Sequence, residues 1–107
     1  MAYVYESYGE LLELDLKHTV YENNTLAITA DIASGPEKGM PFGNITVNLN
    51  EPLEKDQAFV DVNNLEGIDS WLVTNGLAAW TGVSKQSGFV IYPLMKFNLS
   101  ELPEIAM

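Results

Sequence analysis

Two carboxylates, Asp15 and Asp31, come closest in this sequence to forming a chemical site. The strand pairing argued below places them directly opposite each other, with Glu13 on the same sheet face. Opposed carboxylates are suited to binding a cation, to holding a lysine-rich patch of a partner protein, or to transferring protons. The competing interpretation is a solvated sheet face on which Lys17, diagonal to Asp31, relieves the repulsion between the acids. The sequence leaves both interpretations open.

The other residue types exclude most catalytic chemistries. The chain has no cysteine, which excludes a thiolate metal site and a cysteine nucleophile. His18 is the only histidine, so a zinc site or catalytic triad lacks companions, and we expect this side chain to be satisfied by structural contacts. No serine stands in a nucleophile elbow, and no glycine-rich run is followed by the Lys-Ser/Thr of a phosphate loop. We therefore expect no catalytic residue, no metal ligand and no cofactor, and the protein not to be an enzyme.

The composition restricts the fold and the partners. A chain of 107 residues, 47% apolar and only 19% charged, fits a single folded domain spanning 1–107. Fifteen acids stand against five bases, all of them lysines, and the net charge is −10. Such a chain is unsuited to bind nucleic acid or an anionic membrane directly. The N-terminal residues do not form a basic region followed by a long apolar run, so we expect no secretory signal and a cytoplasmic location.

Strand-type alternation dominates the chain, and a helical pattern occurs once. The alternation predicts strands at 12–20, 25–32, 44–49, 58–62 and 88–92. Pro93 predicts that the last strand ends there or continues past a bulge. Apolar residues at helical spacing predict one helix over about 65–74, with Asn75-Gly76 as its stop. We expect an α+β fold: an antiparallel sheet of five or six strands with this helix packed on one face.

The register of the first hairpin follows from its two faces. A two-residue loop at Asn23 and Asn24 would oppose apolar and polar side chains. A three-residue loop, 22–24, instead pairs Leu16 with Ala30 and leaves one face almost wholly apolar. Asn24 then takes the left-handed conformation, which asparagine tolerates. This register places Asp15 opposite Asp31.

The aromatic residues divide into core and surface candidates. We expect Phe89 and Trp71 to lie in the core. Trp80 stands in a connector of small residues, where a large side chain is partly exposed, and exposed aromatics beside acids commonly anchor a protein partner. The candidate partner-binding residues are Glu13, Asp15, Asp31, Glu51, Glu54 and Trp80.

The second half of the chain resembles a small family of domains of unknown function. The resemblance rests on turn and strand residues at 44–49, 58–64, 75–77, 81–82 and 87–94. It covers roughly the last sixty residues well and the first forty by pattern only. That family occurs on phages and other mobile elements of Gram-positive gut bacteria. The resemblance implies this genomic setting and no catalytic motif.

Charge and resemblance together lead to a functional expectation. We expect an acidic inhibitor of host defence, of the anti-CRISPR or anti-restriction type, that occupies the basic nucleic-acid-binding site of a nuclease in the bacterial cytoplasm. A net charge of −10 speeds encounter with such a groove, and carboxylates can engage the lysines and arginines that normally hold phosphates. The alternative is a structural or accessory protein of the mobile element, a homodimer paired through an edge strand.

Overall fold

The computed structural model describes residues 2–105, and these are mostly β-strand. The elements, in chain order, are β1 (Ala2–Ser7), β2 (Glu10–Val20), β3 (Leu26–Ile32), β4 (Pro41–Asn44), β5 (Thr46–Val47), β6 (Gln57–Val60), α1 (Ile68–Thr74), β7 (Ala78–Ser87), β8 (Val90–Phe97) and a 3₁₀ turn at Leu99–Glu101. Within this part of the chain, no helix is both long enough and apolar enough to cross a membrane.

The strands form two antiparallel sheets of four strands each, in the orders β1-β2-β3-β4 and β5-β6-β8-β7. The expectation of an α+β fold with one sheet of five or six strands is therefore wrong. The physical reason lies at Ile45, where the chain passes from one sheet to the other. The Ile45 N–H donates to the Ile28 carbonyl at 2.8 Å, and the Ile45 carbonyl accepts from the Asp61 N–H at 2.9 Å. Because the apolar alternation continues through Ile45, the sequence pattern predicts one strand where two short strands occur.

One hydrophobic core lies between the sheets and the helix. Strand β2 shows the expected period of two most clearly, because it buries Leu14 and Leu16 and leaves Glu13 exposed between the apolar positions. The fully buried side chains include Leu14 and Ile28 from the first sheet, Val60 and Met95 from the second, and Ile68 and Leu72 from α1. The helix thus adds its apolar face to a core that the sheets mainly provide.

The predicted helix is present but shorter than expected at its start. Gly67 has a left-handed φ of 71° directly before α1, so Leu65 lies outside the helix. The C-terminal end follows the expected stop, because Gly76 is left-handed at φ 70°. The Gly76 N–H donates to the Val73 carbonyl at 3.0 Å, and the Leu77 N–H donates to the Leu72 carbonyl at 2.9 Å. These two bonds form the Schellman arrangement that satisfies the last helical carbonyls.

The sequence does not predict strand β7. The irregularity that it predicts near Pro93 is present, but the extra residues lie in β7, which pairs with the strand that contains Pro93. Trp80 pairs with Met95 and Ser84 pairs with Pro93, so 81–83 stand opposite the single residue Leu94. This bulge removes the alternation from the sequence of β7, which is why it resembles a connector. Pro93 lies in β8 where β6 does not pair with it, and its missing N–H is tolerated there.

A short C-terminal segment completes the edge of β2. Strand β1 pairs with β2 only as far as Asp15. Beyond that point, the His18 N–H donates to the Pro103 carbonyl at 2.9 Å, and the Ile105 N–H donates to the His18 carbonyl at 3.0 Å. The segment therefore satisfies backbone groups that β1 leaves unpaired.

Candidate functional site

The outer half of the β7–β8 hairpin extends past the core, and we call residues 82–92 the arm. Strand β6 pairs with β8 only at 94–96, so 90–93 pair with β7 alone. Gly88 has a left-handed φ of 63° and, with Phe89, closes a two-residue turn. Phe89 is fully exposed, and Val83 and Ile91 are each more than half exposed. The arm therefore exposes three apolar side chains to solvent.

The aromatic expectations had different outcomes. The exposure predicted for Trp80 is confirmed, because this side chain is 53% exposed at the base of the arm. The core position predicted for Phe89 is wrong. Phe89 lies in the turn that follows the outermost residue pair of β7 and β8, and its side chain is fully exposed. Trp71 packs against the core as expected. Its ring lies edge-to-face against Tyr5 at 5.4 Å, and its Nε1–H donates to the Val4 carbonyl at 2.6 Å.

The first hairpin has the predicted register, and it gathers three of the candidate residues. Asp15 pairs with Asp31, and Asn24 is left-handed at φ 65°. Glu13 is exposed on the same face of β2. The Lys17 Nζ lies 3.7 Å from Asp31 Oδ2, so the predicted diagonal relief is present. We call Glu13, Asp15 and Asp31 the acidic face.

The two remaining acids lie elsewhere, in the connection from β5 to β6. The Glu51 carboxylate forms an ion pair with Lys85 of the arm, so this charge is already engaged within the chain. Glu54 is exposed in the same connection. The structure thus does not bring the six predicted residues together. It separates the acidic face on the first sheet from Trp80 and Glu51, which adjoin the arm on the second.

His18 has the structural role that the sequence indicates. Its Nδ1 lies 2.8 Å from the Leu102 carbonyl, to which it donates, and its Nε2 lies 3.6 Å from Glu104 Oε2. Both ring nitrogens therefore face the C-terminal segment. In the part of the chain that the structure describes, no three metal-ligating side chains come together.

A cleft that the sequence analysis missed opens at the turn between β1 and β2. Its volume is about 540 Å³, and Trp71 forms part of its wall. The turn consists of Tyr8 and Gly9, both left-handed, at φ 50° and 79°. A second wall comes from 63–67, far away in sequence. The Tyr8-Gly9 pair is the one local signal that could have indicated a tight hairpin here.

Comparisons with known proteins place the chain in a family. No curated protein and no solved structure matches it. Residues 13–107 match the family described as "Domain of unknown function (DUF4313)". This span includes the acidic face, α1 and the arm, and it leaves out β1. The match supports the resemblance to a small family of unknown function and extends it beyond the second half of the chain. The chain therefore belongs to the DUF4313 family.

Proposed function

We propose that this protein is an acidic protein-binding module whose arm enters an apolar socket on a basic partner. The observation that carries the proposal is the fully exposed Phe89 at the tip of the arm, whose strand β8 segment pairs with β7 alone. Short hairpin turns favour glycine, asparagine and aspartate, so the fold does not require a phenylalanine there.

The side chains of the arm are of the kind that dominate protein interfaces. Val83 and Ile91 of the arm, and Trp80 at its base, are each more than half exposed. Aromatic side chains that enter a partner's pocket commonly provide most of the binding energy, while surrounding contacts exclude water. The ion pair between Lys85 and Glu51 ties the arm to the β5–β6 connection, which limits the ordering cost on binding.

The charge of the chain favours a basic partner over a second copy. Two copies would each bring a net charge of −10 to the interface, and their repulsion opposes association. A basic partner is attracted by the same charge, which raises the rate of encounter. The acidic face adds two acids, Glu13 and Asp15, that take part in no ion pair within residues 2–105.

In its specific form, the proposal is that the partner is a host defence nuclease and that the protein occupies its nucleic-acid-binding groove. The setting is then a phage or mobile element in the cytoplasm of its bacterial host. The acid surplus and the absence of arginine support a competitor of nucleic acid rather than a binder of it. The alternative is an accessory homodimer of the mobile element paired through the outer edge of β7, which has no strand partner within residues 2–105.

The experiment measures binding and inhibition of purified defence nucleases from the host, at several salt concentrations. We expect the affinity to fall as salt screens the charges. Phe89→Ser should weaken binding at least tenfold, as expected for a residue that dominates an interface. Met40→Ser is the control, because Met40 is also an exposed apolar side chain, 56% exposed, but lies outside the arm. Combined charge reversal of Glu13, Asp15 and Asp31 together with Glu51 and Glu54 should abolish inhibition.

Two results would overturn the proposal. One is binding that neither salt nor Phe89→Ser changes. The other is a dimer in light scattering that Phe89→Ser dissociates, without any nuclease bound, which would favour the accessory alternative.

A further inference from the structure

The cleft beside the β1–β2 turn has walls that are fixed by two long-range hydrogen bonds. The Tyr5 hydroxyl donates to the Glu66 carbonyl at 2.9 Å. The Trp71 indole N–H donates to the Val4 carbonyl at 2.6 Å. These bonds hold β1 against the start of α1, so the opening of about 540 Å³ is built into the fold. Its size lies within the range typical of ligand pockets.

The charged side chains that line this cleft are all negative. Glu6 and Glu66 line it, and no lysine or histidine does. Within residues 2–105, neither carboxylate forms an ion pair or a side-chain hydrogen bond. The Asn64 Nδ2 donates to Asp61 Oδ2 at 2.9 Å, which leaves the Asn64 amide oxygen as an acceptor. The cleft therefore offers acceptors without an internal cation to satisfy them.

Tyr8 at the rim is not explained by the needs of the fold. Its φ of 50° lies in the left-handed region, where asparagine or glycine is favoured and a bulky side chain is costly. Its side chain is almost completely exposed, so it adds nothing to the core. With Trp71 in the wall, the cleft combines aromatic rings and carboxylates, the two kinds of group that hold organic cations in proteins.

We infer that this cleft binds an organic cation, an alkylammonium or guanidinium group, supplied either by a free polyamine or by a lysine or arginine side chain of a polypeptide. The carboxylates of Glu6 and Glu66 would neutralise the charge of the cation, and the cation would lie against the aromatic rings of Tyr8 and Trp71. This site uses none of the residues of the arm or the acidic face, so it stands independently of the proposed protein-binding function.

The test is a nuclear magnetic resonance titration of the full ¹⁵N-labelled chain. The probes are spermidine, a short lysine- and arginine-containing peptide, and an uncharged diol as the control ligand. We expect spermidine or the peptide, and not the diol, to shift the amide signals of 6–9 and 63–67 and the indole signal of Trp71. Binding by spermidine alone would identify a free polyamine as the source, and binding by the peptide alone a polypeptide side chain; either supports the inference.

Three variants separate binding from folding. Glu66→Gln should weaken cation binding about two- to fivefold, the contribution of one exposed ion pair. Tyr8→Asn should also weaken it while leaving the melting temperature equal or higher, because asparagine suits the left-handed turn. Glu37→Gln, an exposed acid outside the cleft, is the matched control. The inference is overturned if no cation binds, if the diol binds equally, or if Glu66→Gln weakens binding no more than Glu37→Gln does. Phe89→Ser should leave the titration unchanged, which keeps this result separate from the test of the arm.

Discussion

The Thr81 hydroxyl donates a hydrogen bond to the Leu94 carbonyl at 2.8 Å, across the bulge that separates the arm from the rest of the second sheet. The same oxygen accepts the Val83 N–H at 3.1 Å. One side chain thus bonds to the backbone of both strands at the bulge. The orientation of the arm depends on this oxygen, because it joins the two strands where their register shifts.

Replacing Thr81 by valine should lower the free energy of unfolding by about 1–2 kcal/mol, since both hydrogen bonds of the hydroxyl are lost. Urea denaturation measures the change. Thr74→Val is the control, because Thr74 is exposed at the end of α1, and we expect it to stay within about 0.5 kcal/mol of the parent. Equal stability of the two variants would show that the hydroxyl does not hold the bulge.

The two tryptophans offer a matched comparison. Trp71→Phe removes the indole donor to the Val4 carbonyl and should cost about 1–2 kcal/mol of unfolding free energy, with faster amide exchange in β1. Trp80→Phe changes an exposed ring and should cost less than about 0.5 kcal/mol. If both variants lose the same stability, the bond between α1 and β1 contributes nothing measurable.

The loop of the first hairpin gives a backbone test. Asn24 is left-handed at φ 65°, a conformation that glycine adopts freely and alanine adopts at a cost. Asn24→Ala should therefore be about 1 kcal/mol less stable than Asn24→Gly in thermal or urea unfolding. The opposite order would contradict the left-handed assignment.

The acidic face gives a test of its two interpretations. Because Asp15 and Asp31 are directly opposed, Asp15→Asn should raise stability by about 0.2–1 kcal/mol at low salt, and the gain should shrink as salt is added. Melting temperatures with and without Mg²⁺ or Ca²⁺ complete the measurement. If a divalent ion stabilises the parent chain more than the Asp15→Asn variant, the acidic face is a cation site and not only a solvated surface.

The Tyr21 hydroxyl should make the stability of the fold depend on pH under alkaline conditions. Burial raises the pKa of Tyr21 above its ordinary value of 10.0, although the hydrogen bond to Thr46 opposes this and the Asp61 charge adds to it. The unfolded chain therefore releases this proton at a lower pH than the folded chain. The contribution of Tyr21 to the free energy of unfolding is therefore fully present below about pH 10. It is lost as the pH rises from there through the pKa of Tyr21 in the folded chain. In melting curves at increasing pH, Tyr21→Phe should show a shallower alkaline loss, and an unchanged slope would contradict the assignment.

The first hairpin was predictable because one physical constraint determines it. A one-residue slip would move the buried Leu14 and Ile28 to the solvent face, so the alternation specifies the register. The end of α1 was predictable from local sequence, since Gly76 takes the left-handed position at the lowest steric cost.

Other features had no local signal. The change of sheet at Ile45 leaves the alternation intact, and the three-residue bulge hides β7. The small residues around Trp80 indicate its position at the surface. Apolar character alone does not distinguish a strand from the turn that precedes it, so the sequence does not show that Phe89 is exposed. The cleft was missed because it forms only when Tyr5 meets Glu66, a contact between distant parts of the chain.

The position of Ile45 also affects the cooperativity with which the chain unfolds. Its N–H is bonded to one sheet and its carbonyl to the other, and its side chain is completely buried. Opening either sheet at this residue exposes the core that both sheets share, so neither can exist as a separate cooperative unit. We therefore expect a single all-or-none transition, with the slowest-exchanging amides of the two sheets reporting the same free energy as global unfolding.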